Sequence, residues 1–393
     1  MHVLVIPSWY PTTEAPLNGI YFAEQAQCLS RGDIRVGVVY PEHQSLRRLS
    51  WEAAGNKHFQ LEWTSRFGVP TLRRYGWNFW WRFPPGLRMR VRAGVRLGQR
   101  YVERHGVPDV IHAQSGRWAG AAAGRLSAYY DVPFVLTEHF SGFHRDAFSW
   151  WRRPIVREGF RNAKKITAVS SSLKHSLTEQ GLADPSDVGV YPNLAPCSFF
   201  SLPPSGRPPQ PPFRYVTIAR LTPQKNVSGL LQAFARQRGT GDRLELVIVG
   251  DGPERDALKD EARQLGIASC VTFRGRLNRK RTRAALWNAH ALVLPSRYET
   301  FGVVLLEAMA TGLPVVTTAR GGPEDIVTPD TGLIKPGGET RALASGLETV
   351  RRTWSSFDAE AIRSYVRDTY GPEPFVRRTR LLYDRAQATA SGR

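Results

Sequence analysis

Six prolines fall within the twelve residues 201–212, Ser-Leu-Pro-Pro-Ser-Gly-Arg-Pro-Pro-Gln-Pro-Pro, in a chain of 393 residues. Proline has a fixed φ and no backbone N–H, so this segment can form neither a helix nor a central strand. We therefore predict that it links two domains. Each flanking part of the chain is long enough to bury a core of its own.

Short apolar runs alternate with helical segments on both sides of this linker. Such alternation is typical of a parallel sheet covered by helices on both faces, and it predicts an α/β fold with two Rossmann-like, doubly wound domains. The predicted domains are residues 1–200 and 213–365, followed by a helical segment at 366–393. The predicted strands are 3–6, 35–39, 110–112, 134–137 and 165–169 in the first domain, and 215–218, 244–249, 271–273, 291–294 and 315–317 in the second.

The composition excludes several classes of protein. The longest apolar runs have the length of a strand and are far shorter than the roughly 20 residues of a membrane-spanning helix. Met1-His2 leads directly into an apolar strand without the features of a signal peptide, so we expect a cytoplasmic protein. Cys28, Cys197 and Cys270 are far apart and odd in number, which argues against a disulfide framework and against structural zinc.

Positive charge is the unusual feature of the composition, with a formal net charge of +20. Such a charge is typical of a protein that meets an anionic partner, such as nucleic acid, anionic lipid or a phosphate-bearing substrate. A preference for arginine across the genome would explain the same excess. Both explanations stay open.

Residues 296–310, Ser-Arg-Tyr-Glu-Thr-Phe-Gly-Val-Val-Leu-Leu-Glu-Ala-Met-Ala, place two carboxylates around a glycine where a loop turns into an apolar helix. We predict that Phe301, Gly302 and Val303 form the N-terminus of this helix, where free backbone N–H groups and a positive dipole attract an anion. Gly302 lets the backbone approach a ligand, and Glu307, about one and a half turns further on, can reach hydroxyl groups beside it. This arrangement suits a diphosphate attached to a sugar.

Glu299 and Glu307 are also the residue types that serve as acid and nucleophile in a glycoside hydrolase. Along a continuous helix their separation of eight positions corresponds to about 12 Å, at about 1.5 Å per residue. The carboxylate pairs of glycosidases lie about 5 to 9.5 Å apart. The spacing therefore disfavours hydrolysis, although a loop that bends back at Glu299 would shorten the distance.

With these residues in place, the chain resembles the retaining glycosyltransferases of family four, the group 1 glycosyltransferases that include glycogen synthases and mannosyltransferases. The signature of that family is a Glu followed, after seven residues, by a second Glu, here Glu299 and Glu307. Further matching segments are Gly19, Pro108-Asp109-Val110-Ile111-His112, Thr137-Glu138-His139, Pro192-Asn193, Ala219-Arg220-Leu221, Lys225-Asn226, Val249-Gly250-Asp251-Gly252-Pro253, Phe273-Arg274-Gly275 and 317–324. The match covers most of residues 213–340 and is thinner in the N-terminal half.

The resemblance implies the GT-B architecture, in which two Rossmann-like domains face each other and a C-terminal helix crosses back to the first. It also implies that residues 1–200 bind the acceptor and residues 213–365 bind a nucleotide-diphosphate sugar. The implied activity is transfer of that sugar, with retention of anomeric configuration, to a lipid-linked or oligosaccharide acceptor of bacterial cell-surface polysaccharide or glycolipid synthesis. We expect no metal cofactor, because the sequence contains no Asp-x-Asp and no His or Cys cluster with ligand spacing.

The same resemblance implies a role for individual residues of the C-terminal half. Arg220 and Lys225 would bind the diphosphate of the donor. Glu307 would bind the ribose hydroxyls, and Glu299 would bind hydroxyls of the transferred sugar. An exposed carboxylate on a helix and two solvated cations in a loop are the structural alternatives.

In the N-terminal half, His139 would contact the donor sugar near the reacting carbon, so His139 and Glu299 are the candidate catalytic residues. His112 is supported less well. The further candidates for donor binding are Gly19, Gly250, Arg274, Gly275, Phe301, Gly302 and Val303. A histidine at a strand end and a glycine in a tight turn often have only a structural role, and that alternative stays open.

Between Glu62 and Asp109 the only acidic residue is Glu103, while arginines and aromatic residues alternate. Arginine recurs at every fourth position from Arg88 to Arg104, which predicts one cationic helix face. Because Trp and Arg favour the headgroup region of anionic membranes, we hypothesise that this segment docks on the inner face of the cytoplasmic membrane through Arg73, Arg74, Trp77, Trp80, Trp81, Arg88, Arg92 and Arg96. A solvated helix face beside an aromatic cluster explains the pattern equally well. Nucleic acid is a disfavoured partner, because no recognised nucleic-acid module accompanies the segment.

Two other classes of function suit the same architecture. One is a nucleotide-sugar epimerase or a phosphorylase, and the other is a catalytically silent, membrane-associated assembly partner. The presence of Arg220, Lys225, Glu299 and Glu307 together argues against a silent protein.

Overall fold

The computed structural model describes residues 1–44, 59–65, 67–77, 80, 83–145, 149–237, 243–319, 321–337 and 339–391. The chain forms two compact units, each with its own sheet. The first unit consists of Met1–Leu194 and Phe375–Arg393, and the second is Ala195–Pro374.

The first unit is an α/β layer structure. Its strands are β1 (His2–Pro7), β2 (Arg35–Gln44), β3 (Leu61–Thr64), β4 (Thr71–Trp77), β5 (Val110–Gln114), β6 (Phe134–Glu138), β7 (Lys165–Ala168) and β8 (Val188–Val190). The helices that precede the second unit are α1 (Ile20–Ser30), α2 (Pro84–His105), α3 (Ala119–Tyr130), α4 (Arg153–Arg161) and α5 (Ser171–Glu179). In the described residues the strands form one sheet in the order β3-β4-β2-β1-β5-β6-β7-β8.

The centre of this sheet is parallel and apolar. Strands β1, β5 and β6 are buried along their whole length, as expected of parallel strands that helices cover on both faces. Leu4 pairs with Ile111, and Ala113 pairs with Leu136. Since these strands run in one direction, the loops that follow them lie at the same edge of the sheet.

The second unit repeats this construction. Its strands are β9 (Phe213–Ile218), β10 (Leu244–Val249), β11 (Val271–Gly275), β12 (Ala291–Leu294), β13 (Val315–Ala319) and β14 (Gly332–Pro336). Its helices are α6 (Val227–Ala235), α7 (Arg255–Gln264), α8 (Arg279–Trp287), α9 (Val303–Ala310), α10 (Thr340–Arg352) and α11 (Ala359–Tyr370). Within the described residues the strand order is β11-β10-β9-β12-β13-β14, and every pairing is parallel. The direction of winding reverses between β9 and β12, which is where ligands bind in doubly wound sheets.

The C-terminal helix α12 (Pro372–Ser391) returns to the first unit. Tyr383 of this helix is fully buried, and its hydroxyl lies 2.7 Å from His112 Nδ1 of β5. Two Rossmann-like α/β units and this returning helix confirm the predicted fold class.

The structure divides the chain between Leu194 and Ala195, and the proline-rich residues 201–212 lie inside the second unit. Hydrogen bonds explain this position. Ala195 N donates to Tyr370 O at 2.7 Å, and the Arg207 guanidinium donates to Leu286 O at 2.8 Å. The segment is therefore bound along the surface of the second unit.

Candidate functional site

In the second unit, the loops that follow β9 and β12 meet where the winding reverses. The Lys225 ammonium, from the loop after β9, forms an ion pair with Glu299 Oε2, from the loop after β12. Ser296 Oγ donates a 3.3 Å hydrogen bond to the same carboxylate oxygen. The structure thus brings together two residues that the sequence places 74 positions apart.

Backbone hydrogen bonds hold this pair in place. Gln224 Nε2 donates to Tyr298 O at 3.1 Å, and Arg297 N donates to Gln224 O at 2.8 Å. On the other side, Gly322 N donates to Glu299 O at 2.8 Å. The main chain at Glu299 is therefore fixed both by the loop after β9 and by the loop after β13.

Gly302 is the N-cap residue of helix α9 and has a left-handed backbone conformation, with φ 95° and ψ 54°. A side chain there would be strained, and its Cβ would lie 3.0 Å from Leu305 Cδ1. Phe301 and Gly302 are buried and Val303 is half-buried at the first turn. The structure thus places the helix N-terminus at the predicted residues, beside the Lys225–Glu299 pair.

Glu307 lies on α9, beyond this first turn, and its side chain is half-buried. Arg279 at the start of α8 places its Nη1 atom 3.7 Å from Glu307 Oε1. The Arg279 guanidinium also covers the rings of Phe199 and Phe200 at 5.2 and 5.1 Å. Arg279 was missed from the sequence, because nothing in its local pattern indicates a partner on another helix.

The glycine that follows β10 has a close-packing role. A Cβ on Gly250, whose φ is 137°, would lie 1.8 Å from Ala219 O, so no other residue fits against the loop after β9. Gly250 N donates to Gly275 O at 2.8 Å, which ties the loops after β10 and β11 together. Arg220 and Arg274 are exposed at this same edge of the sheet. This edge of the sheet therefore presents two exposed cations, one after β9 and one on β11.

In the first unit, His139 follows β6 and is buried. Its Nε2 lies 2.6 Å from Gln114 Oε1, and its ring meets Phe22 of α1 edge-on at 4.8 Å. Burial lowers the pKa of His139 to about 3, with a smaller contribution from His112. The imidazole is consequently neutral near pH 7 and acts as a hydrogen-bonding group.

His112 has partners on both ring nitrogens, Tyr383 Oη at 2.7 Å and Thr137 Oγ1 at 2.8 Å. Burial lowers its pKa to about 3 as well. These contacts connect helix α12 to the sheet, so a structural role accounts for His112. A pocket beside it is lined by Gln25, His112, Gln114, His139, Asn193 and Arg378.

Gly19 precedes α1 with φ 70°. A Cβ there would lie 2.8 Å from Trp9 Cδ1 and 2.9 Å from Trp9 O. The glycine therefore allows the loop before α1 to approach the loop after β1. Helix α1 then supplies Phe22, which packs against the His139 ring.

Glu138 belongs to the matching segment Thr137-Glu138-His139, but the sequence indicated no role for it. Its buried carboxylate accepts hydrogen bonds from the backbone N–H groups of Gly116 at 2.6 Å, His139 at 2.8 Å and Phe140 at 2.7 Å, and from Ser115 Oγ at 2.8 Å. Burial raises the pKa of Glu138, while these hydrogen bonds oppose the rise. Glu138 thereby holds the loops after β5 and β6 in fixed positions.

The proposed membrane-facing residues differ in their exposure to solvent. Arg73 and Trp77 are buried, and Arg73 Nη1 pairs with Glu42 Oε2 at 3.0 Å, so these two cannot contact a membrane and the hypothesis was wrong for them. Trp80, Arg88, Arg92 and Arg96 are exposed, and Arg74 is half-buried. Trp81 lies outside the described residues.

No helix in the described part of the chain combines the length and the apolar composition that crossing a membrane requires. Across the same ranges, no three His, Cys, Asp or Glu residues come together in a group that could hold a metal ion.

Comparison with known proteins shows which protein families this chain matches. The family model "Glycosyl transferases group 1" matches residues 201–361, and "Glycosyltransferase Family 4" matches residues 19–198. Glycogen synthase of Mycobacterium tuberculosis is 32% identical over 270 residues, which cover 66% of this chain and 64% of that protein. The match thus spans less than two thirds of that relative's length.

Two further similarities cover more of the chain. A putative teichuronic acid biosynthesis glycosyltransferase of Bacillus subtilis is 26% identical over 345 residues, 82% of each protein. The solved structure of the Anabaena protein HepE in complex with UDP superposes with a TM-score of 0.72 at 18% identity, covering 98% of this chain and 100% of that one. At that identity the superposition shows a common fold.

Proposed function

The chain belongs to the group 1 glycosyltransferases, and we propose that it transfers a sugar from a nucleoside diphosphate to an acceptor of bacterial cell-surface polysaccharide or glycolipid synthesis. In this proposal the second unit binds the donor and the first unit binds the acceptor. The anomeric configuration is retained, and protein cations replace a metal ion.

The Lys225–Glu299 pair beside the N-terminus of α9 is the observation that carries the proposal. Cleavage of a sugar nucleotide places growing negative charge on the leaving diphosphate, and preorganised cations and N–H groups stabilise that charge. Lys225, the exposed Arg220 and the first turn of α9 supply both kinds of group at one edge of the sheet. Glu299, held against Lys225, would accept hydrogen bonds from hydroxyls of the transferred sugar.

In the mechanism we propose, the neutral His139 donates or accepts a hydrogen bond at a sugar hydroxyl and does not itself transfer a proton. An oxygen of the leaving phosphate takes the proton of the acceptor hydroxyl, which attacks from the face that the diphosphate leaves. Glu307 would bind the ribose hydroxyls in competition with its contact to Arg279. The similarity to HepE, which was solved with UDP, supports a uridine nucleotide as donor.

Binding and turnover test this function together. We expect UDP to raise the Tm of the purified protein and a UDP-sugar to be consumed. Glu307→Ala should lower kcat/KM at least tenfold, about 1.4 kcal/mol, with folding preserved. Glu348→Ala, at an exposed position of α10 in the same unit, is the matched control. No Tm shift with UDP, GDP or ADP would favour a catalytically silent protein instead.

For the first unit we propose peripheral docking on the anionic inner face of the cytoplasmic membrane. Arg88, Arg92 and Arg96 are exposed on one face of α2. Phe83 and Met89 at the start of the same helix are 55% and 48% exposed, and the Trp80 ring lies 6.2 Å from that of Phe83. Exposed aromatic side chains beside a row of arginines fit the headgroup region of an anionic bilayer.

Flotation with phosphatidylglycerol vesicles at low salt tests the docking. We expect the wild-type protein to float and the variant Arg88→Gln, Arg92→Gln, Arg96→Gln to stay with the soluble fraction. A control with equal loss of charge changes the exposed Arg157, Arg281 and Arg352 to Gln. Equal flotation of the two triple variants would refute the docking face.

A further inference from the structure

Three arginines gather at the carboxyl-end edge of the first sheet: Arg90 of α2, Arg117 after β5 and Arg152 before α4. We call them the arginine cluster. Each guanidinium lies over an aromatic ring, Arg90 over Trp118 at 5.0 Å, Arg117 over Phe140 at 4.6 Å and Arg152 over Trp151 at 4.6 Å. Stacked in this way, the three charged groups have few other conformations.

The position of the cluster follows from its anchors. Arg90 Nη2 donates 3.4 Å hydrogen bonds to Ser8 O, after β1, and to Tyr40 Oη of β2. Trp118 Nε1 donates to the same Ser8 carbonyl at 2.9 Å. Because Ser8, Arg117 and Phe140 follow the parallel strands β1, β5 and β6, the cluster lies at the edge where doubly wound sheets bind ligands.

The charges of the cluster are not balanced within the described part of the chain. None of its three guanidinium groups lies within 4.0 Å of a described carboxylate. Burial, and after it repulsion from Arg90 and Arg152, lowers the pKa of Arg117 to about 10. Glu138 is the acidic group that favours the charge of Arg117, but its carboxylate already accepts four hydrogen bonds.

Arg73, in the same sheet, is an arginine with a structural role and with partners for its charge. Arg73 is buried, pairs with Glu42 at 3.0 Å and donates to Pro11 O at 2.9 Å. Gathering three arginines without such partners costs free energy through repulsion and partial desolvation. An anionic ligand would offset that cost.

We propose that the arginine cluster binds the phosphate group of a phosphate-bearing acceptor, an inference that rests on the proposed function of the first unit. Three guanidinium groups from three segments surround a tetrahedral oxyanion better than a planar carboxylate, and they match its higher charge. The N-terminus of α3 begins directly after Arg117-Trp118 and adds its positive dipole. A sugar phosphate and a lipid phosphate share this chemistry.

Calorimetry on the full chain, saturated with UDP so that phosphate binding in the second unit is blocked, tests the proposal. The probes are glucose 1-phosphate, its neutral analogue methyl α-glucoside, and phosphatidylglycerol vesicles. We expect one phosphate probe to bind the wild-type protein and to bind the variant Arg117→Gln, Arg152→Gln at least tenfold more weakly. The neutral glucoside should not compete, and the probe that depends on the cluster identifies the source of the phosphate.

The matched control is Arg157→Gln, Arg161→Gln, which removes two exposed charges from α4 and should change binding less than twofold. If the cluster variant does not fold, Arg152→Gln alone replaces it. The proposal would be overturned if both phosphate probes bound the cluster variant as tightly as the wild-type protein. It would also be overturned if neither probe bound the wild-type protein. UDP binding, measured separately for every variant, shows whether the proposed function has failed instead.

Discussion

The two units treat charge differently at the carboxyl ends of their strands. In the second unit, Lys225 pairs with Glu299, and Arg279 lies 3.7 Å from Glu307. In the first unit, the arginine cluster has no carboxylate within 4.0 Å among the described residues, and His139 is kept neutral by burial. Both edges belong to doubly wound sheets, so the fold alone does not determine this difference.

The paired charges of the second unit suit preorganisation for catalysis, whereas the arginine cluster of the first unit suits ligand binding. An ion pair such as Lys225–Glu299 keeps its geometry before a ligand arrives, so less reorganisation is needed when charge develops in the transition state. A cluster of unpaired cations is stabilised by the ligand that it binds. We therefore expect substitutions in the second unit to lower the rate of reaction, and substitutions in the arginine cluster to weaken binding.

The largest effect should come from the packing that holds the second site together. Gly250→Ala places a Cβ 1.8 Å from Ala219 O at φ 137°. Overpacking and backbone strain together should lower the free energy of unfolding by about 3 kcal/mol. For a unit of this size the Tm should fall by about 6 to 12 °C, measured by differential scanning calorimetry.

Gly206→Ala is the control for this prediction. Gly206 lies in the same unit with φ 73°, and a Cβ there meets nothing within 4 Å. Only the cost of the backbone conformation remains, about 1 kcal/mol. An equal loss of Tm in both variants would show that the contact with Ala219 does not set the geometry of the loops after β9 and β10.

A smaller effect is expected at the ion pair itself. Lys225→Ala should reduce kcat/KM at least tenfold, about 1.4 kcal/mol, because it removes one cation from the leaving diphosphate and leaves Glu299 without its partner. Steady-state kinetics with the best donor measure this, and circular dichroism should show an unchanged fold. Lys280→Ala, exposed on α8, is the matched control, and a rate equal to that of the control would place the donor elsewhere.

The smallest effect concerns the first unit and pH. The folded-state pKa of His139, about 3, lies below its ordinary value of 6.5, so the unfolded chain binds more protons between these values and stability falls as the pH decreases below about 6.5. Between pH 6 and pH 5 this histidine should contribute about 1 kcal/mol of that loss.

Over the same pH interval, the free energy of unfolding of the His139→Gln variant should consequently fall by about 1 kcal/mol less than that of the wild-type protein. Urea unfolding of the first unit measures this difference. His175→Gln, whose side chain is 72% exposed, should follow the wild-type protein. Identical pH dependence in all three proteins would mean that His139 is charged in the folded state.

Most of the architecture could be predicted from the sequence, because apolar runs of strand length alternate with helical segments. The strands β3, β4, β8 and β14 were not predicted. Strand β4 contains Arg73 and Arg74 within Thr-Leu-Arg-Arg-Tyr-Gly-Trp, and its polar residues hide the apolar pattern. Arg73 is tolerated there because Glu42 of the neighbouring strand neutralises it, a contact that no local pattern reveals.

The membrane hypothesis shows the same limit. A four-residue period correctly predicted an exposed row of arginines on α2. Arg73, Arg74 and Trp77 lie in strand β4, where successive side chains point to opposite faces and neighbouring strands decide which of them are covered. Arg73 and Trp77 were consequently buried against expectation.

The linear sequence alone determined the family, the two α/β units and the helix that begins at Gly302, because motif spacing and hydrophobic period are local properties of the chain. Tertiary structure decided which charges are paired: Lys225 with Glu299 across 74 positions, Arg279 with Glu307, and the gathering of Arg90, Arg117 and Arg152 from three segments. Electrostatic energy depends on distances in space, and the order of the parallel strands sets those distances.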